Sequence, residues 1–153
     1  MRVVLREKIT KLIASGFGLG YIPFASGTFG SLLGVLIYLI VGSSILLIPI
    51  GVFLFFLGVY VSTKAEEIYK EKDSHKIVID EITGFIFAMA LLPFSPLNTV
   101  IGFILFRIFD VVKPYPAKQF QKINGGFGVM LDDVVAAIYA NIVLQIVWCL
   151  KIL

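Results

Sequence analysis

Five carboxylates interrupt segments that are otherwise apolar: Asp80 and Glu81 in IVIDEITG, Asp110 in FRIFDVV, and Asp132 and Asp133 in GVMLDDVVAA. A carboxylate beside hydrocarbon costs roughly 2.5–3.5 kcal/mol even on lenient scales. A chain that keeps five of them needs something to offset that cost, and the usual candidates are a metal ion, a basic side chain or a polar substrate. The surroundings are apolar by composition. Hydrophobic residues make up 59% of the chain, charged residues 15%, and the mean hydropathy is +0.99, whereas soluble domains carry about 25% charged residues. The 153 residues fit one membrane-embedded domain, with room for about five helical spans of ~20 residues each.

The expected fold is therefore an all-α integral membrane protein with about five transmembrane helices. An N-terminal amphipathic interfacial helix over residues 1–15 precedes them, where Arg2, Arg6, Lys8 and Lys11 alternate with Val3, Leu5, Ile9 and Leu12. No secretory signal peptide is expected in that stretch, because charges are scattered through it. A Gly-rich loop occupies residues 16–31. Spans are expected over 28–40, from 45–50 to 61, over 77–92, over 97–112 and over 128–150. The second runs on into a polar helix at 62–72, and the prolines at 93 and 96 end the third. The lone Cys149 lies in an apolar run, where a packed small hydrophobe is expected.

With the N-terminus in the cytoplasm and five spans, twelve of the 13 basic residues fall on the inner side and only Lys151 on the outer. That is the positive-inside pattern. The two outer turns, near residues 42–49 and 93–96, contain no charge. Asp80 lies fifteen residues before Ser95 and Asp110 fifteen after it. At about 1.5 Å per helical residue both stand ~22 Å from the outer turn, so the two are expected level, near the cytoplasmic surface.

Four constellations gather at that face. Asp80 and Glu81 point about 100° apart on a helix, so one suits a metal and the other a second partner. Alternatively they decorate a helix N-terminus, which the macrodipole favours. Arg107 and Asp110 share a helical stripe with Lys113 or Val111. Either this is a salt-bridged helix end, or Asp110 binds metal while Arg107 and Lys113 bind phosphate. Gly125, Gly126 and Gly128 precede Asp132 and Asp133, as a flexible loop or as a backbone cradle for an anion beside a cation site. In the first loop Ser26, Thr28 and Ser31 offer hydroxyls near a helix start. Ser26 or Thr28 is an expected N-cap, and both are candidate phosphate contacts. His75 sits in the charged stretch 64–76, where a solvated surface residue is expected, and Asp73 in the same stretch is left open between that and a site role. No His/Cys zinc spacing, Walker loop or Ser-His-Asp set is present. The parts are those that hold Mg²⁺ and a phosphate ester.

The stretches GFGLGYIPFASGTFGS, IVIDEITG, FRIFDVVKPYPA and GGFGVMLDDVVAA, in that order over residues 16–137, resemble the bacterial phosphatidylglycerophosphatase A family. The resemblance implies a phosphatase of the cytoplasmic membrane, with its active site facing the cytoplasm. Such an enzyme removes the terminal phosphate of phosphatidylglycerophosphate and depends on Mg²⁺. The resemblance agrees with Asp80, Glu81, Asp110, Asp132 and Asp133 as the catalytic set, of which Asp80, Glu81, Asp110 and Asp133 are the expected metal ligands; Arg107, Lys113, Ser26 and Thr28 stay the expected phosphate contacts from the residue reading. The partner implied is a lipid phosphate, and no nucleic acid is expected. Two departures stand out: Ser26-Gly27-Thr28 where the family often has Pro-Gly-Thr, and Ala136-Ala137 where Ala-Gly is usual. Neither removes a carboxylate.

Two other functions use intramembrane carboxylates. A cation transporter would need polar groups along whole spans, and the outer halves here are apolar. A phosphotransferase joining a nucleotide-activated lipid to an alcohol would need a spaced Asp-Gly…Ala-Arg…Gly…Asp…Asp signature, which is absent. For a phosphatase, water activated by metal and a carboxylate base is favoured over an aspartyl-phosphate route.

Overall fold

The computed structural model describes residues 2–42 and 45–150. Lys151, part of the first outer turn (43–44) and the side chains of Arg2 and Val3 lie outside the described residues. The described residues are helical throughout, without a β-strand: α1 (Arg2–Ala14), α2 (Ser26–Val41), α3 (Leu47–Tyr69), α4 (Ile79–Ala88), α5 (Pro96–Val112), α6 (Ala117–Phe120) and α7 (Gly126–Cys149), with one 3₁₀ turn at Leu19–Tyr21. Two helices, α3 and α7, are long and apolar enough to cross a membrane.

The expected polar extension of the second span is continuous with it, so α3 runs unbroken to Tyr69. The third segment differs more. Residues 77–92 do not form one long helix: α4 holds ten residues, about 15 Å at 1.5 Å each. Its C-terminal carbonyls leave the helix for another partner. The Asn141 amide on α7 donates to Ala88 O at 2.9 Å and to Ala90 O at 2.8 Å, and Leu91 then turns with φ 61°. Helix is therefore continuous from the turn at Ser95 to Asp110 on α5, but not from Asp80 to that turn, so the rise of about 1.5 Å per residue sets the depth of Asp110 alone. After the break, α5 restarts on its own signals. The Asn98 N–H donates to Ser95 Oγ, and Pro96 occupies the first turn, where its missing N–H costs nothing.

Short α4 is the centre of the molecule. It packs against α2, α3, α5 and α7, and Phe85, Ile86 and Ala88 are buried with Phe106, Ala136, Ala140 and Leu144. Small residues let the backbones approach. A Cβ at Gly34 of α2 would stand 3.0 Å from both Ile82 O and Phe85 Cβ, tighter than ordinary side-chain contact. The outward faces are apolar instead: Leu36 and Leu39 on α2, Phe53 and Phe56 on α3, Ile104 and Ile108 on α5, Ile142 and Ile146 on α7 are all exposed. The interior is mainly apolar as well, with Asp80, Asp132 and Asp133 buried in it, and apolar exposure this broad departs from the surface of a soluble domain.

Three smaller expectations are corrected. Along α1 both charged and apolar side chains are exposed, Arg6, Glu7 and Lys8 beside Val4, Leu5 and Ile9, so its faces are not sharply segregated. Cys149 is exposed in the last turn of α7 rather than packed. The N-cap of α2 is Ala25, at φ 51° and without a side-chain bond. Ser26 Oγ instead donates to the His75 carbonyl at 2.8 Å, which ties the first loop to the stretch leading into α4. His75 itself is exposed, as expected.

Candidate active site

The first turn of α4 carries Asp80 and Glu81, the second turn of α7 carries Asp132 and Asp133, and the last turns of α5 carry Arg107 and Asp110. Packing of α4 against α7 and of α5 against both brings these ends together. One carboxylate oxygen from each of Asp80, Glu81 and Asp133 lies within 4.8 Å of the others. Asp80, Asp132 and Asp133 are 7%, 3% and 2% exposed. Four carboxylate oxygens in this group, Asp80 Oδ1, Glu81 Oε2, Asp132 Oδ1 and Asp133 Oδ2, are buried without a hydrogen-bond partner.

Unpartnered buried oxygens are rare in proteins because each forfeits its hydration. Three carboxylates sharing such a site also repel one another. A divalent cation resolves both problems. Magnesium takes oxygen ligands at about 2.1 Å, which puts ligands of one ion ~3–4 Å apart, close to the spacing of this cluster. The donor set is all oxygen and fits a hard ion rather than zinc.

Asp110 stands beside the cluster. Its Oδ2 accepts from Arg107 Nη1 at 2.7 Å, and it faces Asp133 and Glu81 as a like-charged neighbour. Arg107 Nη1 also reaches Ser31 Oγ at 3.4 Å. Lys113 ends α5 in the left-handed conformation, φ 47°, and its Nζ donates to Asp132 Oδ2. Burial disfavours the Lys113 ammonium, but that hydrogen bond and the charges of Asp132, Asp133 and Asp110 outweigh it and hold its pKa above the ordinary lysine value. The two cations thus bracket the carboxylates from α5, and Val111 between them turns outward at 74% exposure. The helical stripe is therefore Arg107, Asp110 and Lys113.

The N-terminus of α2 closes the site from the other side. A Cβ at Gly27 would collide with Glu81 Oε1 and stand 3.2 Å from Arg107 Nη1, so any larger residue here has to displace the Glu81 carboxylate. Of the hydroxyls in this loop, Ser31 is the one bonded to Arg107. Ser26 is committed to His75, and half-buried Thr28 makes no described side-chain bond.

The anion cradle expected at Gly125, Gly126 and Gly128 does not form. The Gly126 N–H donates to Thr63 Oγ1 at 2.8 Å and the Gly128 N–H to Gly125 O at 3.0 Å. A Cβ at Gly126 would collide with the Val59 carbonyl, and one at Gly128 with the Ile123 carbonyl. These glycines serve close packing of α7 on α3 and on the preceding loop.

Sequence reasoning missed a second group of charges. Lys72, Asp73, Lys113, Lys118, Gln121 and Lys122, with Val111, line a cavity of about 550 Å³. Asp73 adjoins the site closely enough to act on Asp80 and Asp132 electrostatically, and its Oδ2 accepts from Gln121 Nε2 at 2.7 Å. The only signal in the sequence was the density of lysines in two separate loops.

Comparison with known proteins places the chain. The family model described as phosphatidylglycerophosphatase A matches residues 12–148. The chain is 42% identical over 138 residues to a phosphatidylglycerophosphatase A of Haemophilus influenzae, covering 86% of this chain and 84% of the relative. It is 35% identical to an Escherichia coli protein of the same name, covering 93% and 87%. A putative phosphatidylinositol-3-phosphatase of Bacteroides thetaiotaomicron is 34% identical, covering 88% and 91%. No solved structure matches the chain.

Proposed function

The chain belongs to the phosphatidylglycerophosphatase A family, and from that premise we propose that it hydrolyses the terminal phosphate of phosphatidylglycerophosphate, yielding phosphatidylglycerol and phosphate. The observation that carries the proposal is the set of buried, unpartnered carboxylate oxygens of Asp80, Glu81 and Asp133, bracketed by Arg107 and Lys113. Carboxylates without cations would repel a phosphate, and cations without carboxylates would hold no metal. Both together describe a phosphoryl site.

Asp80, Glu81 and Asp133 would hold Mg²⁺, with Asp110 as the adjoining fourth carboxylate. When bound, the ion would act as a Lewis acid toward the phosphate oxygens. Arg107 is positioned to exchange its Asp110 contact for the phosphate, presenting a fork that matches two oxygens. Lys113 supplies a second charge against the negative charge that develops as the P–O bond breaks. Asp132 has one oxygen held by Lys113 and the other free of partners. That leaves it suited to take a proton from the attacking water as its oxygen bonds to phosphorus, and to return that proton to the lipid alkoxide as the ester P–O bond breaks, so that the alcohol departs and the carboxylate is restored.

The apolar outer faces support a membrane setting, and the inner concentration of lysine and arginine supports a site open to the cytoplasm. Five crossings fit the helix order. In that arrangement α2, α3, α5 and α7 face lipid. The third crossing is α4 followed by the irregular stretch 89–95, tolerable because it is packed inside protein. The whole chain is one such catalytic domain.

The test is phosphate release by the purified protein in neutral detergent from phosphatidylglycerophosphate, with Mg²⁺ and with excess chelator. Metal-dependent release supports the proposal, and equal release in chelator defeats its metal. The Bacteroides relative's name adds phosphatidylinositol 3-phosphate to the panel. Exclusive turnover of that lipid would move the assignment to it.

A further inference from the structure

The cavity of about 550 Å³ beside the carboxylates lies in the size range of ligand pockets, ~300–1,000 Å³. Four lysines line it, Lys72, Lys113, Lys118 and Lys122, against one acidic residue, Asp73. Their commitments differ. Lys113 is bonded to Asp132, and Lys72 Nζ is held by Lys122 O and Asn124 Oδ1, both at 3.2 Å. No described bond engages the ammonium of Lys118 or Lys122, and the Asp73 carboxylate is taken up by Gln121. The cavity is therefore a positive recess with two uncommitted donors, joined to the reaction centre through Lys113.

A second feature fixes its relation to a lipid. An apolar groove of about 430 Å³ on the outer face of α5 is lined by Ile104, Arg107, Ile108 and Val111 among others, and Val111 lines the cavity as well. Hydrocarbon lying along α5 would lead directly to the lysines, with Arg107 and the carboxylates alongside.

We propose that this lysine cavity is a second-anion subsite, which binds the phosphodiester of a lipid headgroup carrying two phosphates while the terminal monoester lies at the carboxylates. The inference rests on the phosphatase reading above and deepens it. Lys118 and Lys122 bind the diester, Lys113 lies between the two phosphates, and the acyl chains follow the α5 groove. The subsite selects lipids with a diester and a monoester over lipids with a monoester alone.

Binding without turnover tests it. Phosphatidylglycerophosphate or phosphatidic acid is titrated into the full-length protein in neutral detergent with excess chelator, and the same is done for Lys118→Gln/Lys122→Gln and Lys118→Arg/Lys122→Arg. The wild type is expected to prefer the two-phosphate lipid. The Gln pair should lose about tenfold of that preference, the loss of roughly one charged hydrogen bond, and the Arg pair should keep it. Equal weakening for both lipids, or no weakening, overturns the subsite. So does a preference that vanishes in the wild type once anionic lipid is added to the micelles, which would make the recess a membrane-surface contact. Competition by inorganic phosphate that depends on Lys118 and Lys122 without any change in lipid preference would make it a free-phosphate site, and also overturns it. Hydrolysis is scored separately with Mg²⁺. Turnover with an unmoved preference leaves the phosphatase reading standing and removes the subsite, whereas a lysine-dependent preference without turnover removes the phosphatase reading.

Discussion

Replacing Asp133 with Asn separates a metal site from an ordinary buried acid. Asp133 shares its space with Asp80 and Glu81, oxygens within 4.8 Å of one another. Two unit charges at 4.8 Å, the outer limit of that spacing, repel by about 3.5 kcal/mol at an effective dielectric constant of ~20, so two such pairs would cost the ion-free protein at least about 7 kcal/mol if all three groups were charged. Proton uptake and side-chain rotation relieve most of that, leaving a net gain of about 1–2 kcal/mol when one of the three charges is removed. For a chain of this length the gain corresponds to a melting temperature about 2–8 °C higher in excess chelator. With Mg²⁺ the order should reverse. The wild type gains stability by binding the ion, whereas Asp133→Asn gains little and loses nearly all turnover. The assay is thermal unfolding in detergent with and without Mg²⁺, alongside phosphate release. If Asp133→Asn melts lower than wild type in chelator and responds to Mg²⁺ as the wild type does, the reasoning about this cluster is wrong.

Other substitutions probe the parts in turn. Arg107→Gln should lower kcat/KM about a hundredfold, and Arg107→Lys should rescue it poorly because an ammonium cannot replace the fork; near-normal rates with a lowered melting temperature would make Arg107 a purely structural partner of Asp110. Gly27→Ala pushes a methyl group into Glu81 Oε1, so the Mg²⁺ concentration for half-maximal activity should rise at least about tenfold; an unchanged midpoint would show that Glu81 is not a ligand. Asn141→Ala frees the carbonyls of Ala88 and Ala90 and should cost about 1–3 kcal/mol of stability, seen as a lower melting temperature; an unchanged value would mean that Asn141 does not fix the break after α4.

The carboxylates were legible because charge inside an apolar run has few explanations, and Arg107 with Asp110 because i, i+3 spacing puts them on one stripe, whereas the choice of Lys113 over Val111 came only with the outward turn of Val111. Other features were hidden for physical reasons. The break after Ala88 depends on Asn141, some fifty residues further along, and the run of apolar residues over 77–92 carries no local sign of it. Glycine is compatible equally with an anion cradle and with tight packing, and only the Val59 and Ile123 carbonyls decide the matter at Gly126 and Gly128. Nothing in the sequence joined Lys72 and Asp73 to Lys118 and Lys122, because the two loops that build the cavity are far apart in sequence. Gly27 was visible as part of a Gly-rich loop, but its role against Glu81 appears only when α2 is laid on α4.

The most direct test uses Mn²⁺ as a paramagnetic substitute for Mg²⁺, titrated into wild-type and Asp80→Asn protein while bound metal is read by electron paramagnetic resonance and phosphate release from phosphatidylglycerophosphate is followed in the same samples. The account predicts that in the wild type turnover rises in step with bound manganese, and that Asp80→Asn loses both together. Turnover by wild-type protein without bound metal, or full manganese binding by Asp80→Asn, would contradict it.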